Sequence, residues 1–171
     1  MSIRDIRAGV VLLEGFQELE FWYPVLRFRE EGVPVVVIGA DPEQTTFSEL
    51  GYPVVPEASW SQDDPGCNVL VIPGTHRPPS AASVAAVVAI VQAARKAGAT
   101  IGATGNSVRL LADAGLLRGV RIAVEPALAG HVGALGAVVA ETAVCVDNGI
   151  VTARGVDDLP EFFKTLLGMK A

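Results

Sequence analysis

Short, uninterrupted apolar runs alternate along the chain with longer segments of helical spacing. Arg7–Leu13, Pro34–Ala40 and Asn68–Ile72 are the clearest runs, as expected of strands buried on both faces. Between the first two, Glu18–Glu31 places Leu19, Trp22, Tyr23, Leu26 and Phe28 at helical intervals and stops at Gly32. Pro24 falls early enough in that helix to be tolerated. Ser80–Ala97 reads as an alanine- and valine-rich helix, with Ser80 as its N-cap and Gly98 closing it. In Ala99–Leu117 a buried strand, Ile101 to Thr104, meets a sharp turn at Gly105-Asn106-Ser107 and a helix running toward Ala114. Such a turn presents backbone N–H groups to an anion or developing oxyanion. Asp41–Asp64 is irregular, with a small hairpin or edge strand near Tyr52–Val55. Further on, Val120–Val124 reads as a strand and Pro126–Leu135 as a helix weakened by Gly130 and Gly133. Val138–Ala140 follows as a strand, then Val144–Val146 and Ile150–Ala153 pair around an Asp147-Asn148-Gly149 turn. A last helix, Leu159–Leu167, docks Phe162, Phe163, Leu166 and Leu167.

This alternation predicts an α/β fold: a mostly parallel central sheet with helices on both faces, three layers deep. At 171 residues the chain is read as one domain, residues 1–171. Ligands of such sheets bind beyond the carboxyl ends of the strands. That rule gathers the turn after Leu13, the Pro73–Pro79 loop, the turn at Gly105 and the segment after Val124. A net charge of −6 and a pI near 4.9 argue against nucleic acid or an anionic membrane as partner. The apolar run in MSIRDIRAGVVLLEG is too short for a signal peptide, and no stretch has the length of a membrane span. Cys67 and Cys145 show neither metal nor redox spacing, so both are expected to be reduced, and the location cytoplasmic. No metal-ligand spacing is evident elsewhere, and no cofactor is implied.

Four collinear stretches resemble the ThiJ/PfpI superfamily, which has a flavodoxin-like fold of the glutamine-amidotransferase type. They are GFQELEFWYPVLRFREEGVPVVVIG, VLVIPGTHRP, IGATGNSVRLLADAGLLRGVRIAVEP and DNGIVTARGVDDLPEFF, and they span nearly the whole chain. The resemblance implies that a glutamate four residues before a proline in the first helix supports the nucleophile. Here that residue is Glu20, followed by Pro24. It implies a Pro-Gly-Gly loop donating an oxyanion-hole amide; here the loop reads Pro73-Gly74-Thr75. The superfamily's Cys-His-Gly elbow lies ten residues before the glycine of an Ala-Gly-Leu-Leu run. Counting back from Gly115 puts Gly105, Asn106 and Ser107 in those three slots. Where some members carry a histidine after the elbow helix, this chain has Glu125 before Pro126. Without an elbow thiolate, thiol-dependent proteolysis, deglycation, glyoxalase and isonitrile chemistry do not carry over.

Each candidate has a bland reading beside its functional one. Glu20 read alone is an exposed helix glutamate like Glu18 or Glu30; the resemblance turns it into the pocket, where partial desolvation would suit acid–base work. Glu125 is either a second pocket carboxylate or a solvated loop residue. His76, at a strand's carboxyl end, is a base or acid if the site is catalytic and a surface histidine otherwise. His131, between glycines, reads as structural or surface. Gly74, Thr75, Thr104, Gly105, Asn106 and Ser107 are the expected substrate-binding positions, Asn106 and the turn amides holding a carbonyl, enolate or carboxylate. Trp22, Tyr23, Phe16 and Trp60 either line a cavity widened by the missing cysteine side chain or pack in the core.

Two function classes follow. The first is a cofactor-free acid–base lyase, hydratase, isomerase or cyclase acting on a small organic metabolite at the elbow. The second is an inactive ligand-binding or chaperone-like homodimer on the same scaffold. Homodimerisation is implied by the resemblance; Trp22, Tyr23 and Phe28 of the first helix either supply part of the interface or form an ordinary buried helix face.

Overall fold

The computed structural model describes residues 3–60 and 66–168. The end of the irregular stretch, 61–64, lies outside the described residues. In chain order come β1 (Ala8–Val11), α1 (Glu18–Glu30), β2 (Val35–Gly39), β3 (Thr46–Phe47), β4 (Pro53–Val54), β5 (Ala58–Ser59) and β6 (Val69–Ile72). Then follow α2 (Ala81–Lys96), β7 (Thr100–Thr104), α3 (Val108–Asp113), β8 (Arg121–Ile122) and α4 (Pro126–Ala134). The chain closes with β9 (Val138–Val139), β10 (Val144–Asp147), β11 (Ile150–Ala153) and α5 (Leu159–Leu166).

Seven strands form one sheet in the order β10-β11-β7-β6-β1-β2-β5, parallel except for β10 against β11. Both sheet faces are covered, so every residue of β1, β6 and β11 is buried, yet the strands still alternate between two cores. Val11, Leu70, Ile72 and Ile150 point to the core under α2, α3 and α4. Val10, Val69, Val71 and Val151 point to the core under α1 and α5, with Phe21, Val25, Phe28, Phe162 and Phe163. This is the predicted flavodoxin-like sandwich.

Ser80 caps α2 as expected, its Oγ accepting from the Ser83 amide at 3.1 Å. Two details differ from the sequence reading. The segments at 120–124 and 138–140 shrink to β8 and β9, which pair only with each other. The stretch near Tyr52–Val55 gives the small β3–β4 hairpin, and β5 adds an unforeseen parallel edge to β2.

Register places the site. Ile72 lies beside Ala103, and Ala153 beside Thr104, so the loops after β6, β7 and β11 emerge together. The loop before α1 is stapled onto them: Gln17 N donates to Gly74 O at 2.9 Å and His76 N to Gly15 O at 2.9 Å.

Candidate functional site

A cavity of about 360 Å³ opens where these loops meet, lined by Glu20, Gly74, His76, Gly105, Asn106 and Glu125 among others. Glu20 is its innermost charged group, only 5 % exposed. It sits in the first turn of α1, where Gln17 Oε1 caps the helix by accepting from the Glu20 amide at 2.7 Å. One carboxylate oxygen, Oε2, accepts from the Gly74 amide at 2.7 Å and from the Thr104 hydroxyl at 2.6 Å. The other, Oε1, has no hydrogen-bond partner among the described residues and is not sealed from solvent. Burial pushes the Glu20 carboxyl above the usual carboxylate value, and the charge of Glu125 adds to this. Together they outweigh the hydrogen bonds from Thr104 and Gly74 and the pull of His76.

Two glycines make that placement sterically open. A Cβ on Gly74 would fall 2.6 Å from Glu20 Oε2. A Cβ on Gly105 would fall 2.8 Å from Oε1, and Gly105 also has φ +54°, a region that L side chains rarely adopt. The Glu20 carboxylate thus crowds the position from which an elbow side chain would start.

The other candidates divide. Thr104 is fully buried and serves to hold Glu20. Asn106 is committed to the neighbouring loop: its Oδ1 accepts from the Thr75 amide at 2.9 Å and its Nδ2 donates to Thr75 O at 2.6 Å. The loop amides at positions 74 and 75 thus already have partners, one in Glu20 and one in Asn106. Ser107 Oγ lies 2.6 Å from Ile72 O and 2.8 Å from Thr104 O and accepts from the Thr104 amide, so its hydroxyl locks the turn instead of facing the cavity.

Glu125 stands exposed at the start of α4 on the cavity rim. His76 is on the rim too, with 44 % of its side chain exposed, and its nearest carboxylate is that of Glu18, with Nε2 3.8 Å from Oε2. Burial raises the Glu18 carboxyl, but hydrogen bonds from the Ser48 hydroxyl and Leu50 amide, with the nearby His76 charge, leave it below its usual value. His131 is exposed on α4, outside the site.

Trp22 does not line the cavity. It packs edge-on against Phe21 with ring centroids 5.0 Å apart, at the margin of the α1–α5 core. Phe16 and Tyr23 belong to that core as well, and Trp60 packs against the opposite one. Nor does either cysteine approach the turn. Cys67 precedes β6, and Cys145 is in β10, where burial pushes its thiol up. Sequence reasoning missed Gln17, Gly155 and Val156 in the lining and Glu18 beside His76. Gly155 and Val156 follow β11, so the carboxyl-end rule already pointed to them.

The model of the DJ-1/PfpI family matches residues 6–169. An uncharacterized protein of Archaeoglobus fulgidus is 31% identical over 166 residues, covering 95% of this chain and 96% of that one. A protein of Thermococcus kodakarensis named as a deglycase is 28% identical over 162 residues, covering 92% and 97%. Among solved structures, a two-domain protein of Anabaena variabilis with DJ-1/ThiJ/PfpI-like and ferritin-like domains superposes with a TM-score of 0.85 at 22% identity. The match covers 96% of this chain and 48% of that protein, so this chain spans about half its length.

Proposed function

The chain belongs to the DJ-1/PfpI family, and from that premise we propose that it is a cofactor-free acid–base enzyme of lyase, hydratase or isomerase type. It acts on a small organic molecule in the Glu20 cavity without a covalent cysteine intermediate. The observation that carries this reading is the division of labour within one carboxyl group. Oε2 is anchored by Gly74 and Thr104, while Oε1 faces the cavity beside Gly105. A fixed carboxyl with raised proton affinity can give up or take a proton at one defined atom. His76 and Glu125 on the rim relay protons to and from solvent. Among the described residues the titratable lining is Glu20, Glu125 and His76, with no lysine or arginine, so the cavity favours an uncharged substrate over an anionic one. The thiol chemistry that the resemblance implies is not carried over, because neither cysteine reaches the turn.

A second reading is supported by the amides of Gly74 and Thr75, both of which already donate inside the protein. An oxyanion held there would have to displace a side chain, which fits a binding module better than an oxyanion-dependent reaction. Solvent-deuterium exchange into small uncharged ketones and α-hydroxyaldehydes, followed by NMR, separates the two. The acid–base reading expects exchange by the native protein, reduced about 10²–10⁴-fold in Glu20→Gln with substrate affinity retained. Exchange that is absent, or equal in both proteins, leaves the binding module.

A further inference from the structure

A second cavity, of about 170 Å³, lies on the α2–α3 side of the Thr75–Asn106 contact. Thr75 and Asn106 face both cavities and form the wall between them. The lining of the second is mostly apolar: Leu13, Pro73, Pro78, Pro79, Val84 and Leu110. Three of those six are prolines in one loop, whose fixed φ keeps the wall from folding inward to fill the space. Apolar cavities of about 150 Å³ admit benzene, so an isobutyl or phenyl group fits here.

The polar wall offers little to a ligand. The Thr75 hydroxyl donates to Arg77 O at 2.7 Å, Asn106 is tied at both ends to Thr75, and Ser107 is tied to Ile72 and Thr104. Polar recognition therefore falls on the remaining lining residues, Arg109 and Asp113. Both are exposed on α3, one turn apart, and neither joins an ion pair or side-chain hydrogen bond among the described residues. The cavity mouth thus presents one unpaired cation and one unpaired anion beside an apolar interior. A simple carboxylic acid would meet Asp113 along with Arg109, and a simple amine would meet Arg109 along with Asp113. A molecule carrying both charges satisfies both.

We infer that this cavity binds a zwitterion with an apolar side chain, an α-amino acid of the leucine or phenylalanine type. The side chain enters among the prolines, Val84 and Leu110, the carboxylate meets Arg109, and the ammonium meets Asp113. This site is separate from Glu20 and independent of any proton transfer there.

The test is calorimetric titration of the purified chain with L-leucine, 4-methylpentanoate and 3-methylbutylamine. L-leucine is expected to bind about tenfold more tightly than either single-charge analogue. Arg109→Gln and Asp113→Asn should each weaken L-leucine by a similar factor, and Val84→Trp, which fills the cavity, should abolish it. The two rim variants sit on an exposed surface and keep the test intact if Val84→Trp disturbs folding. No binding of L-leucine, equal affinity for all three compounds, or undiminished binding to Arg109→Gln would overturn the assignment.

Discussion

At position 105 a backbone requirement and a side-chain requirement coincide. The turn needs φ +54° there, and the Glu20 carboxylate oxygens lie 2.8 and 3.0 Å from where a Cβ would stand. Gly105→Ala therefore adds left-handed strain and a collision with Glu20 together. It should cost about 1–3 kcal/mol, read as a melting temperature lowered by several degrees. An unchanged melting temperature would contradict both the strain and the collision. Glu20 itself makes a second prediction through its raised proton affinity. A carboxyl raised in the folded state contributes stability that is complete below its unfolded value near 4.5 and is lost as pH climbs through the folded value. Glu20→Gln keeps an acceptor for Gly74 and Thr104 without the charge. Relative to that variant, the native protein should lose melting temperature as pH climbs from about 4.5 through the raised folded value. A difference that is flat or rises with pH would contradict a disfavoured buried charge.

At the scale of elements, what the sequence made legible follows from how local each signal is. Continuous apolar runs marked β1 and β6 because burial on both faces leaves no polar interruption; β2 was marked by its run of valines although Val36 is exposed. The edge strand β5 carried no such mark. Ala58 and Ser59 are poor strand formers, held by pairing to β2, by Glu57 Oε2 accepting the Val37 amide at 2.8 Å and by Trp60 Nε1 donating to Ile38 O at 3.1 Å. Of the site, Glu20 and Gly105 were found through the resemblance and its spacings, not through periodicity. For Trp22 the sequence left cavity and core both open, although helix geometry favours the core. Two residues on a helix are about 200° apart, so a residue two after Glu20 faces away from Glu20's cavity. Glu18 was dismissed as an exposed glutamate because its partners, Ser48 and the Leu50 amide, come from a hairpin some thirty positions later. Non-local contacts of that kind leave no trace in spacing.

At the scale of the whole molecule, α1 is apolar on two faces. Phe21, Val25 and Phe28 fill the α1–α5 core, which removes Phe28 from the interface role expected of it: its ring packs 4.8 Å from that of Phe163. The outer face carries Leu19, 54 % exposed, and Leu26, 56 % exposed, with Trp22 half-buried between them. Beside them stands the β3–β4 hairpin, whose Leu50 is 74 % exposed and whose backbone is tied to Glu18 at 2.8 Å. An exposed stripe of large apolar side chains calls for cover, and we propose that a second copy of the same face supplies it, forming the homodimer that the resemblance implies. Light scattering coupled to size exclusion should then give twice 17.8 kDa for the native chain. The pair of changes Leu19→Glu and Leu26→Glu, both on the exposed face and clear of the core, should return it to 17.8 kDa with its circular dichroism intact. A native chain already at the single-chain mass, or a double variant that still runs at twice that mass, would show that this face is not where two copies meet.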